Sequence, residues 1–318
     1  MIPGPKSDRR FPTVARAFIA AAALALVPPA AGCGFGAGEP AEGEVVLTAT
    51  RDYGASEVVE ATIADPQPTD TVLRILDREA EITTRYGGGF VQSIDGISGS
   101  AEDGRSFDWF FYVNGIESPI GSAEAGVEPG DRIWWDHHDW TNVMRVPAVV
   151  GSFPQPFASA FEGGGEPIEV GCAGADDACG IAAEALEVEG IEADVVELGE
   201  AEAGSQPRVL VGELDAVLED RVAAALIEGP DRSGVFARAT GGGSELELHD
   251  VTASPVGGGD NGLVAALVRG AEAPTWVVTG TEPPLVKEAA ELVGAGSLAG
   301  RFAVAIDRHG VTTPLPVR

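Results

Sequence analysis

The sequence predicts an α+β protein: a small strand-rich domain with one helix, followed by an α/β or α+β domain. Three observations support this. The chain has 318 residues, 44 % of them hydrophobic, which is enough for two ordinary cores. Between residues 44 and 146 the pattern runs strand, strand, one helix, then several more strands. Beyond residue 165, strand and helix patterns alternate.

Composition narrows the function first. With 50 acidic and 20 basic residues the net charge is −30, so nucleic acid and anionic headgroups are repelled as partners. The acid is spread along the chain, as on a solvated surface. At the amino terminus Lys6, Arg9, Arg10 and Arg16 precede the apolar run 17–27, and Ala30-Ala31-Gly32 leads into Cys33. Residues 1–32 resemble a bacterial lipoprotein signal, departing from it where Ala30 replaces a larger aliphatic residue; an ordinary secretory signal cut near Ala31 is the alternative. The resemblance implies a diacylglycerol on Cys33, hence an extracytoplasmic protein anchored to the membrane. The apolar run is short and ends in proline, against a permanent span. Cys172 and Cys179 suit that compartment as a disulfide closing a small loop at a helix start. A redox or metal pair is the alternative, but the spacing is C-x6-C and no histidine lies nearby.

The elements follow in order. Residues 33–43 form a Gly/Ala/Glu/Pro tether. Glu44 to Tyr53 alternates as a strand, and Thr69-Asp70-Thr71 caps an amphipathic helix that turns Val72, Leu73, Ile75 and Leu76 to a core. Ile82 to Ile94 is strand broken by Gly87-Gly88-Gly89. Phe107 to Val113 and Arg132 to Trp140 are aromatic strands, flanked by turns at Asn114-Gly115 and Pro129-Gly130-Asp131. Residues 147–165, rich in Pro, Phe and Gly, read as a connector packed on one domain and long enough to hinge.

In residues 44–146, W-F-F-Y-V-N-G paired with a later G-D-R-I-W-W, the spacing T-x-x-x-L-L in Thr69 to Leu76, and the stretch G-G-G-F-V-Q-S-I-D-G at 87–96 resemble the domain-of-unknown-function family 4430. That family is related to the carboxy-terminal domain of transcobalamin and intrinsic factor. The resemblance implies a small β-grasp fold and, by relation, a domain that closes over a corrinoid. The partner helical barrel of those proteins is missing from this chain.

Residues 166–318 carry strands at Ile168 to Gly171, Ile191 to Leu198, Arg208 to Gly212, Gly234 to Thr240, Glu245 to Asp250, Leu263 to Val268, Thr275 to Gly280 and Phe302 to Asp307. Helices are expected at Asp176 to Val188, near Leu214 to Ile227 and at Pro284 to Val293.

Four of the five tryptophans and two of the four histidines fall between Phe107 and Trp140. Strand alternation sends Phe107, Trp109, Phe111 and Val113 to one face and Asp108, Phe110, Tyr112 and Asn114 to the other. It likewise separates Ile133, Trp135 and His137 from Trp134, Asp136 and His138. One face should fill the core while the other covers a neighbour or a ligand. Core and interface packing accounts for most of these residues, leaving Tyr112, Trp134 and Trp140 as the expected exposed minority. With Asn114 and His138 they form the candidate ligand-binding set. His137 and His138 point to opposite faces and cannot chelate one metal, so at least one is expected to be solvated or capping.

Val278-Thr279-Gly280-Thr281 running into a helix offers backbone N–H groups to an anion. An ordinary strand-to-helix turn uses the same residues, however, and there is no Walker lysine or GxGxxG motif. No GxSxG or HExxH motif occurs, so no catalytic residue, metal ligand or cofactor is assigned. The expected function is an extracytoplasmic, lipid-anchored binding protein that captures a small, corrinoid-like molecule for uptake. The alternative is a structural or protein-interaction lipoprotein of the cell envelope.

Overall fold

The computed structural model describes residues 42–86, 89–161, 165–294 and 296–318. Cys33 and the signal lie outside the described residues. The architecture is α+β, with a sheet-rich N-terminal region and a C-terminal α/β region.

The N-terminal region comprises β1 (Glu44–Arg51), β2 (Ser56–Ala64), α1 (Val72–Glu79), β3 (Ile82–Arg85), β4 (Phe90–Ile94), β5 (Ile97–Ser98), β6 (Ser100–Glu102), β7 (Arg105–Val113), β8 (Ile116–Glu117) and β9 (Arg132–Asp139). Its main sheet runs β2-β1-β9-β7-β6, with β8 beside β7. The central pair β1–β9 is parallel, while β2 and β7 flank it antiparallel. A helix across one face of such a sheet is β-grasp-like. Helix α1 starts at Thr71, whose hydroxyl accepts from the N–H of Arg74, the N-cap bond its sequence calls for. It buries Val72, Ile75 and Leu76 against Leu47, Trp109, Ile133 and Trp135.

The C-terminal region follows as α2 (Phe157–Phe161), β10 (Ile168–Ala173), α3 (Asp176–Val188), β11 (Ala193–Glu197), β12 (Arg208–Glu213), α4 (Leu214–Val217), α5 (Pro230–Ser233), β13 (Ala237–Thr240), β14 (Glu245–His249), β15 (Pro255–Gly257), β16 (Asn261–Leu267), β17 (Thr275–Gly280), α6 (Pro283–Leu292), β18 (Ala303–Asp307) and β19 (Thr312–Leu315). The large sheet has the order β11-β10-β12-β17-β16-β18-β19. Strands β11, β10, β12 and β17 are parallel, and the rest antiparallel. Helices α3 and α6 bury one face of it through Ala182, Leu186, Val286 and Ala289, against Val170, Val211, Val278 and Val304.

The helix expected over Leu214 to Ile227 is interrupted. After α4 the carboxylate of Asp220 accepts from the N–H groups of Val222 and Ala223, and the chain resumes as a 3₁₀ turn at Ala223–Ile227. A short acidic side chain that bonds forward to backbone amides competes with helical pairing.

The connector does not pack on one domain alone. Val149 donates its N–H to the carbonyl of Gly115, and Val150 donates to that of Phe302. Gln155 Nε2 donates to the Gly130 carbonyl, at 3.0 Å. Ala148, Val149 and Val150 are all buried. The segment expected to hinge is bonded to both regions instead.

Candidate functional site

The aromatic strands obey the alternation read from the sequence. In the β7–β9 register Trp109 faces His137, Phe111 faces Trp135, and Tyr112 faces Trp134. One face carries Trp109, Ile133 and Trp135 into the core under α1. The other carries Tyr112 and Trp134 into a second core shared with Phe236 and Phe302 of the C-terminal region. The ring of Phe302 meets Trp134 edge-on at 5.1 Å, Tyr53 at 5.1 Å, His138 at 5.6 Å and Tyr112 at 5.7 Å. Backbone approach is equally close: a Cβ on Gly54, whose φ is +79°, would meet the Gly300 carbonyl, and one on Gly151 would meet Arg301 and the Trp134 ring. Only glycine fits there.

This corrects the candidate ligand set. Tyr112 is 1 % exposed, Trp134 4 % and His138 2 %, because the C-terminal region covers the face that was expected to be open. Asn114 serves its own turn: its side chain donates to Asp131 and accepts from the N–H of Arg132, and its φ of +54° is that of the turn. Trp140 is half-buried and donates to Asp108 at 3.2 Å. Neither histidine is solvated. His137 lies among Phe107, Trp109 and the Ser98 carbonyl, and burial pushes its pKa down. His138 is stacked between Tyr53 and Phe110, at 4.5 and 4.6 Å.

A buried carboxylate organises the seam. Asp136, fully buried, accepts from Thr50 Oγ1 at 2.5 Å, Tyr53 N–H at 2.9 Å and Gly54 N–H at 2.8 Å, and pairs with His138 Nδ1 at 2.8 Å. Trp134 Nε1 donates to Thr50 Oγ1, and the Tyr53 hydroxyl to the carbonyl of Asp139. Every lone pair that a carboxylate presents has a donor, as burial requires. Burial, reinforced by Asp139 and Asp136, raises the Tyr53 phenol far above its ordinary value; burial does the same at Tyr112, with Glu117 adding to it. This is a structural junction.

A wide opening lies in the C-terminal region, where the parallel strands β10 and β11 end. The chain leaves β10 through α3 to β11 on one side, then crosses to β12 on the other, so the strand order reverses at β10. Crevices in open α/β sheets form at such a reversal. Two clefts meet here at Ala173. One, of about 720 Å³, lies between residues 197–203 and the α4 side, with Leu198, Ala201, Ala203 and Ala216 as apolar lining. The other, of about 420 Å³, is bounded by the start of α3, Glu213 and the start of α6. Both volumes fall within the range of small-molecule sites.

Their charges are mostly uncommitted. In the larger cleft Arg208 is tied to Asp220 and Thr275, and Arg221 to Glu272, while Glu197, Glu202 and Glu219 have no ion-pair partner among the described residues. The bonds from Arg208 and from two backbone N–H groups outweigh burial and hold Asp220 below the ordinary carboxylate range. In the smaller cleft Asp177, Glu213 and Lys287 are likewise unpaired among the described residues. The anion site considered at Val278–Thr281 does not form: Pro283 and Pro284 open α6 without N–H groups, the N–H of Leu285 turns back to Glu282, and that of Thr281 is given to Asn261. Beside the clefts Cys172 and Cys179 are joined as a disulfide that reaches into the second turn of α3. Sequence reasoning missed this crevice because its lining comes from five separate segments.

Among the described residues no group of three His, Cys, Asp or Glu side chains is placed to hold a metal, and no helix is long and apolar enough to cross a membrane.

Comparison with known proteins gives few relatives. No curated protein matches the chain. A crystal structure described as "a putative metal binding protein from Ruminococcus gnavus ATCC 29149" aligns with 15 % identity and a TM-score of 0.24, covering 31 % of this chain and 98 % of that one. A family model described as "Domain of unknown function (DUF4430)" matches residues 69–139. This chain therefore carries a DUF4430 domain, of which both aromatic strands are part.

Proposed function

We propose that this chain is an extracytoplasmic, lipid-anchored binding protein whose ligand site is the crevice over β10, not the aromatic wall. The observation that carries the reading is the pair of clefts meeting at Ala173, with an apolar lining on one side and unpaired Glu197, Glu202, Glu219, Asp177, Glu213 and Lys287 around them. Five carboxylates against one ammonium suit a small organic cation or zwitterion, held by charge at its ends and by apolar contact between them. The basic stretch, apolar run and Cys33 at the amino terminus support the anchor, and the Cys172–Cys179 disulfide suits an oxidising compartment. A corrinoid held against Tyr112 and Trp134 loses support, since Phe236 and Phe302 occupy that face.

Calorimetric titration with spermidine, arginine, glycine betaine and a corrinoid tests the site. Saturable heat with one of the first three is expected, weakened about tenfold or more in Glu213→Lys and Glu219→Lys. Heat from the corrinoid alone, or heat that both variants leave unchanged, refutes it. Metabolic labelling with palmitate tests the anchor: label should be incorporated and lost in Cys33→Ala, and an unlabelled wild type contradicts lipidation.

A further inference from the structure

The two edges of the large sheet are finished differently. At one edge β19 contains Pro314 and is followed by Pro316, neither with an N–H to offer, and Val317 donates to the carbonyl of His249. Proline on an edge strand is a common block to further pairing. At the other edge β11 pairs with β10 alone and contains no proline, glycine or lysine.

The direction of each β11 peptide group follows from its bonds. Ile168 donates to the carbonyl of Glu192, and Leu198 donates to that of Cys172, in a parallel register that sets Val170 beside Val195. Along a strand, N–H and C=O groups of alternate residues point to the same side. Residues 192, 194, 196 and 198 therefore serve β10, while Ala193, Val195 and Glu197 present N–H and C=O outward. Val195, in the middle of this row, is 53 % exposed. Asp194 stands beside Glu169 in the register, and Glu197 ends the strand. None of these three carboxylates has an ion-pair partner among the described residues.

We propose that the outer edge of β11 is a docking strand for an extended, basic segment of a partner protein. The main chain of the partner pairs with Ala193, Val195 and Glu197; its basic side chains meet Glu169 and Asp194 on one face of the sheet, and an apolar side chain covers Val195 on the other. Added strands gain affinity from main-chain bonds and specificity from alternate side chains. A second copy of this chain is the wrong partner. A β11–β11 ladder crowds Asp194 and Glu197 of both strands into one short pairing with no basic residue in the strand to meet them, between molecules that each carry a net charge of −30.

The probe is a fluorescent heptapeptide of alternating lysine and valine, with a glutamate–valine peptide as its counterpart, titrated into the protein by anisotropy. The lysine peptide should bind saturably, and the glutamate peptide at least tenfold more weakly. In amide exchange followed by NMR, bound peptide should protect Ala193, Val195 and Glu197, leaving Asp194 and Val196 as they were. Val195→Pro removes an outward N–H and none that β10 uses, so affinity should fall at least tenfold at an unchanged melting temperature. If that variant melts early, Glu169→Lys/Asp194→Lys provides the second test and should invert the preference between the peptides. The proposal is overturned by absence of binding, by equal affinity for both peptides, by protection that spares the outward amides, or by a self-associated dimer that Val195→Pro dissolves.

Discussion

Truncating Phe302 tests whether the aromatic wall belongs to the C-terminal region as much as to its own. Phe302 is 3 % exposed and stands edge-on to four rings of the N-terminal region. A buried Phe→Ala change costs about 3–5 kcal/mol, and aromatic pairs add about 0.5–1.5 kcal/mol beyond buried area. With roughly 2–4 °C per kcal/mol in a chain of comparable size, Phe302→Ala should lower the melting temperature by about 6–20 °C. The assay is calorimetry run beside tryptophan emission. Trp109, Trp134, Trp135 and Trp140 lie in the N-terminal region and only Trp276 outside it, so emission reports mainly on the region that was not mutated. The emission transition should move with the calorimetric one, and a double-mutant cycle with Trp134→Ala should show coupling of about 0.5–3 kcal/mol. An emission transition that stays in place, or a total loss below about 1 kcal/mol, refutes the seam.

Three further outcomes are expected. The phenols of Tyr53 and Tyr112 are raised by burial above their ordinary value, so above about pH 10 the unfolded chain releases protons that the native state keeps. Stability is then full below about pH 10 and falls as pH rises past it, by about 1.4 kcal/mol per pH unit for each phenol, and alkaline urea denaturation measures the slope; a flat profile contradicts the burial. Asp136→Ala leaves the donors at Thr50, Tyr53, Gly54 and His138 without an acceptor, and should cost about 3–5 kcal/mol in the urea midpoint, with Asp136→Asn recovering part of it. Replacing Cys172 and Cys179 with serine opens a short loop and should cost about 2–3 kcal/mol, seen as a lower midpoint in the oxidised protein and no difference once the wild type is reduced.

Local patterns in the sequence carried much of this fold. The helix expected at Asp176 to Val188 and the strand at Thr275 to Gly280 have those bounds in the structure, because each is an apolar segment of the right length bounded by turn residues. The cap at Thr71 and the Asn114-Gly115 turn were legible because their residues carry the geometry directly. Alternation also gave the division of the aromatic strands into two faces. It could not say what covers the second face, since Phe236 and Phe302 arrive from far along the chain. Strand β19 escaped notice because Pro314 argues against a strand and is tolerated only at a sheet edge. The crevice depends on β11 and β12 lying on opposite sides of β10, an order that no local pattern encodes.

Oxidative footprinting of the folded protein, read residue by residue by mass spectrometry, tests the buried seam most directly. Tyr86, 88 % exposed, is the internal reference for an open aromatic ring. Tyr53, Tyr112, Trp134 and His138 should be protected as strongly as Trp109 and Trp135 in the core beneath α1. Modification of Tyr112 and Trp134 at a rate near that of Tyr86 would contradict the account and return the aromatic wall to the ligand.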